Sequence, residues 1–168
     1  MNAVRIILVT AVVFILQVTF VHKTTIAGAS PDLMIVLLVA FVLGRGPVVA
    51  VIVGFLLGFL LDLGNASFLG LNALAKSIIA YGVSRVGGGF FPESTLFKCF
   101  LILAASLVND IVILAVTMNF SIPEILVSFF RYSIISAVYT AVIGVIVIEI
   151  IGIATRRVVR PRGGFRSP

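Results

Sequence analysis

The stretch Phe97–Val116, FKCFLILAASLVNDIVILAV, decides the fold. Apart from Lys98 near its start and the Asn109-Asp110 pair within it, the run is almost wholly apolar over 20 residues. That is the length a helix needs to cross about 30 Å of bilayer hydrocarbon. The rest of the chain has the same character. Of 168 residues, 61% are apolar and only 11% charged, and the mean hydropathy is +1.31. Average domains are about half apolar and about a quarter charged. A soluble domain this short cannot hide so much apolar surface, and the same figures exclude intrinsic disorder. A single cysteine, Cys99, and a single histidine, His22, exclude a disulfide framework and make a cysteine- or histidine-built metal site an unpromising reading. The chain reads as an all-α, polytopic membrane helix bundle.

Further segments flank the first. Val4–Val21 is a full-length span between Arg5 and His22-Lys23. Its apolar core is longer than the 7–15 residues of a signal peptide, so it reads as retained despite the small residues Ala27-Gly28-Ala29. Leu33–Leu43 lies between Ser30-Pro31-Asp32 and Gly44-Arg45-Gly46-Pro47, and Val48–Leu61 ends at Asp62. Gly70–Val86 carries Asn72, Lys76 and Tyr81. The last run, about Ile125–Ile153, contains Arg131 and Glu149, and Ser121-Ile122-Pro123-Glu124 before it resembles a capping box. Six membrane helices result, or five if Leu33–Leu43 is re-entrant, since its 11 residues cover only about 17 Å. The last run has the opposite problem: either it begins as an interfacial stretch, Ile125–Tyr132, before entering the membrane, or it projects beyond the bilayer toward Arg156. Residues 1–155 form one helical membrane domain, and 156–168 a basic tail.

Orientation follows from the cations. With the amino-terminus inside, nine of the 12 basic residues (Arg5, Arg45, Arg85, Lys98, Arg156, Arg157, Arg160, Arg162 and Arg166) fall on the cytoplasmic side, against Lys23 outside. Lysine and arginine collect in cytoplasmic loops, so both termini are placed in the cytoplasm of a plasma membrane.

Ionisable groups inside a bilayer are costly and are functional candidates by default. Lys76, Asp110 and Arg131 each lie seven residues in from an outer helix end, about 10 Å deep, with Asp62 just above them. Two acids and two bases at one level form a neutral set, as a low dielectric requires. They describe either a polar pocket for a ligand or partner, or an internal salt-bridge network that fixes helix packing. Arg131 has a third reading, an interfacial side chain that snorkels to water. Asn72 shares a face with Lys76 and would join either version. Ala50, Gly54, Gly58 and Asp62 recur at a spacing of four. Such a stripe lets helix backbones approach closely, within the chain or with another protein's helix.

The tail arginines Arg156, Arg157, Arg160, Arg162 and Arg166 suit anionic lipid headgroups, at about 1 kcal/mol each. No folded module accompanies them that would support nucleic-acid binding. Catalysis is not expected. Asp62 and Asp110 invite comparison with small aspartic signal peptidases, yet the four spans and Asn-rich loop of that type are absent. No nucleophile elbow or phosphate loop occurs either.

Pro31-Asp32-Leu33-Met34, then Gly54-Phe55-Leu56-Leu57-Gly58-Phe59-Leu60-Leu61-Asp62, then Leu69-Gly70-Leu71-Asn72-Ala73-Leu74 and the Lys76 to Tyr81 segment together resemble the rod shape-determining MreD family. The similarity concentrates in residues 31–86. It implies a non-enzymatic, cofactor-free scaffold of the bacterial elongation machinery, which makes peptidoglycan for rod-shaped growth. Its implied partners are the single-span protein MreC and, indirectly, the actin-like MreB, the glycosyltransferase RodA and its transpeptidase. It also implies a fold like the substrate-binding subunits of energy-coupling-factor transporters. The motif positions on this chain are Gly54, Gly58, Asp62, Gly70 and Asn72; Lys76, Asp110 and Arg131 rest on depth alone. The competing expectation is a small-molecule or lipid-binding membrane protein that uses the outer polar cluster.

Overall fold

A computed structural model describes residues 3–19, 30–64, 68–87 and 94–156. Among these the chain is helical throughout, with α1 (Ala3–Thr19), α2 (Leu33–Val42), α3 (Pro47–Asp62), α4 (Leu71–Gly87), α5 (Thr95–Thr117), α6 (Ile122–Ser128) and α7 (Ile134–Arg156). A single π-helical turn, Phe129–Ser133, joins α6 to α7, so the last two helices form one interrupted rod. The six sequence segments therefore correspond to six rods. Two are long and apolar enough to cross a membrane by themselves: Thr95–Thr117 and Ile122–Val147. The apolar stretches Ile7–Thr19, Leu33–Val42 and Pro47–Asp62 are shorter. His22, Lys23 and the arginines beyond Arg156 lie outside the described residues.

Helix α2 is the centre of the bundle. Its sequence, LMIVLLVAFV, has no polar face because every face meets protein: it touches α1, α3, α4, α5 and α7. Met34, Ile35, Leu38, Val39 and Val42 are fully buried. At ten residues it is about 15 Å long, half a bilayer. Gly44, at φ +77°, stops it in a left-handed cap that a side chain would resist.

The closest packing is between α3 and α4. Gly54 lies against Lys76 and Ala80, and Gly58 against Asn72 and Ala73, so position along α3 rises as position along α4 falls. The two helices are antiparallel, and their backbones touch where the glycines sit. Many outward-facing side chains are apolar: Val48, Ile52, Phe55 and Leu56 on α3, Ile78 on α4, Phe100 on α5 and Ile146 on α7 are all exposed. So many exposed apolar side chains make a surface for lipid or for other apolar protein.

At the start of α6 the chain turns through Asn119 and Phe120, both with positive φ. The helix begins at Ile122 with Pro123 in its first turn and Glu124 beside it, as the sequence indicates. The capping-box hydrogen bond itself does not form, since the Ser121 side chain caps nothing.

Candidate functional site: the buried polar cluster at the start of α2

A ten-residue helix that begins inside the bundle leaves its first N–H groups without water, and each must find a partner. The sequence supplies them from three directions. The Asp32 carboxylate accepts from the Met34 and Ile35 N–H groups through Oδ1, at 2.9 and 3.2 Å. From α1, the Gln17 amide oxygen accepts the Leu33 N–H at 2.8 Å, while its nitrogen donates to the Pro31 carbonyl at 3.3 Å. From α7, the Thr140 hydroxyl oxygen accepts the Asp32 N–H at 3.0 Å, and the Ser136 hydroxyl donates to the Ser30 carbonyl at 2.8 Å.

The second Asp32 oxygen holds the one ion pair among the described residues, with Lys76 Nζ at 3.0 Å. Lys76 is fully buried, whereas the Asp32 side chain is 20% exposed. Lys76 Nζ also donates to Asn109 Oδ1 at 3.4 Å. Asp110, the next residue, is half-buried, faces the Ser133 side chain of the π turn, and lies within electrostatic reach of Lys76 and Asp32. The π turn thus carries a buried serine to the polar centre, a placement in keeping with the frequency of such turns at functional sites.

Asp62 does different work. Four donors converge on its buried carboxylate: Gly70 N–H (3.0 Å) and Ala73 N–H (2.9 Å) on Oδ2, Asn72 N–H (3.1 Å) and the Asn72 amide (3.0 Å) on Oδ1. It caps the start of α4 from the end of α3, and the favourable dipole at that helix start adds to the hydrogen bonds. Gly70, at φ +93°, lets the loop turn its N–H inward.

The four charges grouped by depth in the sequence therefore do not form one set. Lys76 and Asp110 come together, Asp62 with Asn72 makes a separate cap, and Arg131 is exposed, with its guanidinium 5.4 Å from the centre of the Tyr132 ring. Asn72 sides with Asp62, not with Lys76. The residues that sequence reasoning missed are Asp32, Asn109, Thr140 and Gln17. Asp32 had a visible signal, an acidic residue directly before an apolar run. Gly54 and Gly58 turn their bare faces to α4, and Arg45 and Arg85 are exposed, Arg85 lying 5.7 Å over Tyr81.

The model of the rod shape-determining protein MreD family matches residues 1–155. The chain belongs to the MreD family. Comparisons with curated proteins and with solved structures return no match. Membership makes this a membrane protein of rod shape determination, from a family of structural membrane proteins. The motif positions of the resemblance, Gly54, Gly58, Asp62, Gly70 and Asn72, are those that lock the α3–α4 pair. In this MreD-family chain the motif therefore builds the framework on which the Lys76 centre is mounted.

That framework gives a direct test. Asp62→Ala removes the cap and leaves the buried Ala73 N–H, the part-buried Gly70 and Asn72 N–H groups and the Asn72 amide short of an acceptor. It is expected to lower stability by about 2 kcal/mol or more, read as a fall in melting temperature of the detergent-purified protein. Asp62→Asn, which keeps one acceptor oxygen, should lose less. Equal melting of the Ala variant and the parent would show that the cap is dispensable.

Proposed function

We propose that this chain is a non-enzymatic scaffold of the cell-elongation machinery that seats the transmembrane helix of an MreC-like single-span protein. It spans the plasma membrane six times, with both termini in the cytoplasm and the arginine tail on anionic headgroups. Through MreC it couples indirectly to MreB filaments, RodA and its transpeptidase. The observation that supports this reading is how the buried polar groups of the centre are occupied. The α2 start, Lys76, Asp32 and the Asp62 cap are held by partners within the chain, which makes a rigid body with an apolar exterior. A fold like that of energy-coupling-factor substrate subunits is part of the same proposal.

A docked helix needs a close approach, and among the described mid-helix glycines Gly82 alone has nothing within 4 Å of where a Cβ would stand. It lies outward on α4, between exposed Ile78 and Val86. Gly82 is therefore the proposed contact point, since small residues allow helix backbones to approach in lipid. Co-expression with the MreC-like protein, mild detergent extraction and co-purification test it. Gly82→Leu is expected to cut partner recovery to about a tenth, the loss of ~1.4 kcal/mol, with a melting temperature at or slightly above that of the parent. Full recovery overturns this contact.

A second reading, a ligand pocket around Lys76 and Asp110, draws on the partial exposure of Asp32 and Asp110. Native mass spectrometry of the same preparation distinguishes it: a retained small molecule lost in Asp110→Asn favours the pocket, and its absence favours the scaffold.

A further inference from the structure

One outward feature belongs neither to the buried centre nor to the glycine face of α4. Along α7, Ile134, Ile135, Val138, Tyr139 and Val142 line an open groove of about 410 Å³ with no polar surface. One turn before it, on the π segment, stands exposed Arg131. Its only described contact is the Tyr132 ring, and among the described residues it makes no ion pair. The acid nearest in sequence, Glu124, is itself exposed, two turns away.

The length of the helix places this pair at a definite depth. In the proposed orientation the basic run that begins at Arg156 marks the cytoplasmic edge of the hydrocarbon. Twenty residues back, about 30 Å, reach Ala137. Arg131 then lies about 9 Å beyond the hydrocarbon edge of the leaflet opposite the Arg156 end, in the headgroup layer. The ring of Tyr132 beside it suits the same layer. From Ile134 to Val142 the groove runs inward about 12 Å, starting in the headgroup layer and reaching about 8 Å into the hydrocarbon at Val142. Long helical side chains lean toward the amino-terminal end, so the guanidinium points out to the headgroups while the groove descends into the acyl region.

We propose that Arg131 and the α7 groove form a binding site for one anionic phospholipid, the phosphate on the guanidinium and an acyl chain along Ile134, Val138 and Val142. Charge complementarity selects this occupant. A planar guanidinium without an acidic neighbour offers paired N–H groups to phosphate oxygens, and an uncharged transmembrane helix would leave that cation unanswered.

The test is native mass spectrometry of the full chain released from nanodiscs of equal phosphatidylglycerol and phosphatidylethanolamine. Phosphatidylglycerol should be retained preferentially, and Arg131→Gln should cut its retention about tenfold, the effect of one charge-assisted contact. Val138→Trp, which fills the groove from an already exposed position, should reduce retention with Arg131 in place. Both variants should melt as the parent does, because neither touches the core. Retention of the two lipids in equal amounts, or an Arg131→Gln variant that keeps its lipid, overturns the site. So does displacement by glycerol 3-phosphate alone, which would make it a mere anion site, and so does displacement by an added MreC-like helix, which would assign the groove to protein. The lipid assay needs no partner, and the Gly82→Leu assay needs no lipid selectivity, so each proposal can fail without the other.

Discussion

Gly58→Ala lowers the melting temperature of the purified protein, and Gly58→Leu yields no folded protein. In an ordinary exposed helix the first change would help, since alanine exceeds glycine in helix propensity by about 1 kcal/mol. Here the sign reverses. A Cβ on Gly58 would stand 2.5 Å from the Ala73 Cα and press on the Asn72 carbonyl. On Gly54 it would stand 2.5 Å from the Lys76 carbonyl oxygen and 2.7 Å from the Ala80 methyl. At Gly58 these obstacles are backbone, which cannot rotate away as a side chain can. One methyl therefore forces α3 from α4, an overpacking cost of about 1–3 kcal/mol. The displacement also strains the Asp62 cap, one turn further along α3. A leucine adds three more carbons to the same contact. Gly82→Ala is the control, with open space around its Cβ, and should melt at or slightly above the parent temperature. If Gly58→Ala melts as high as Gly82→Ala, the α3–α4 contact is looser than the geometry shows.

The glycine stripe was legible because its spacing of four, with Asp62 as the last member, identifies one helix face from sequence alone. What periodicity cannot give is the neighbour on that face, and α4 was one of two open choices. Two helix ends were legible for local reasons: Asp32 before Leu33, and Gly44 and Pro47 around the α2–α3 turn. The capping box at Ser121 was not realised, since sequence spacing permits that hydrogen bond without requiring it. The interruption of the last helix was not legible either, as Phe129–Ser133 carries no proline or glycine to mark it.

The pairing of charges was misread for a single geometric reason. Depth counted from helix ends starts every helix at the membrane surface, which puts Asp32 in an outer loop and leaves Lys76 to find Asp62, Asp110 or Arg131. Helix α2 instead starts within the bundle, so Asp32 arrives at the level of Lys76 from 44 residues away. The clue was its shortness. A helix half as long as the bilayer must have one end inside it, and that end must carry its own polar partners.

Asp32→Asn is expected to be the most damaging neutral substitution in the polar centre, more so than Lys76→Met. The two changes break the same 3.0 Å pair, yet they strand different groups. Asparagine at 32 can still accept the Met34 and Ile35 N–H groups, so the α2 cap survives. The buried ammonium of Lys76, however, retains only the longer Asn109 contact at 3.4 Å. An uncompensated buried charge of this kind costs about 3–5 kcal/mol. Lys76→Met leaves Asp32 behind, but that carboxylate is one-fifth exposed, still accepts two N–H groups, and stands at a helix start where an anion gains about 0.5–2 kcal/mol. Its loss should be correspondingly smaller. Combining the substitutions removes both charges while the cap oxygen remains, and replacing a buried pair by neutral groups of similar volume is often close to neutral. The double variant should therefore melt well above Asp32→Asn alone. A double-mutant cycle on melting in detergent, with circular dichroism to confirm helicity, measures the coupling. Additive losses in the double variant would mean that Lys76 and Asp32 do not depend on each other, and that some other acid, with Asp110 the nearest available, balances the lysine in the membrane.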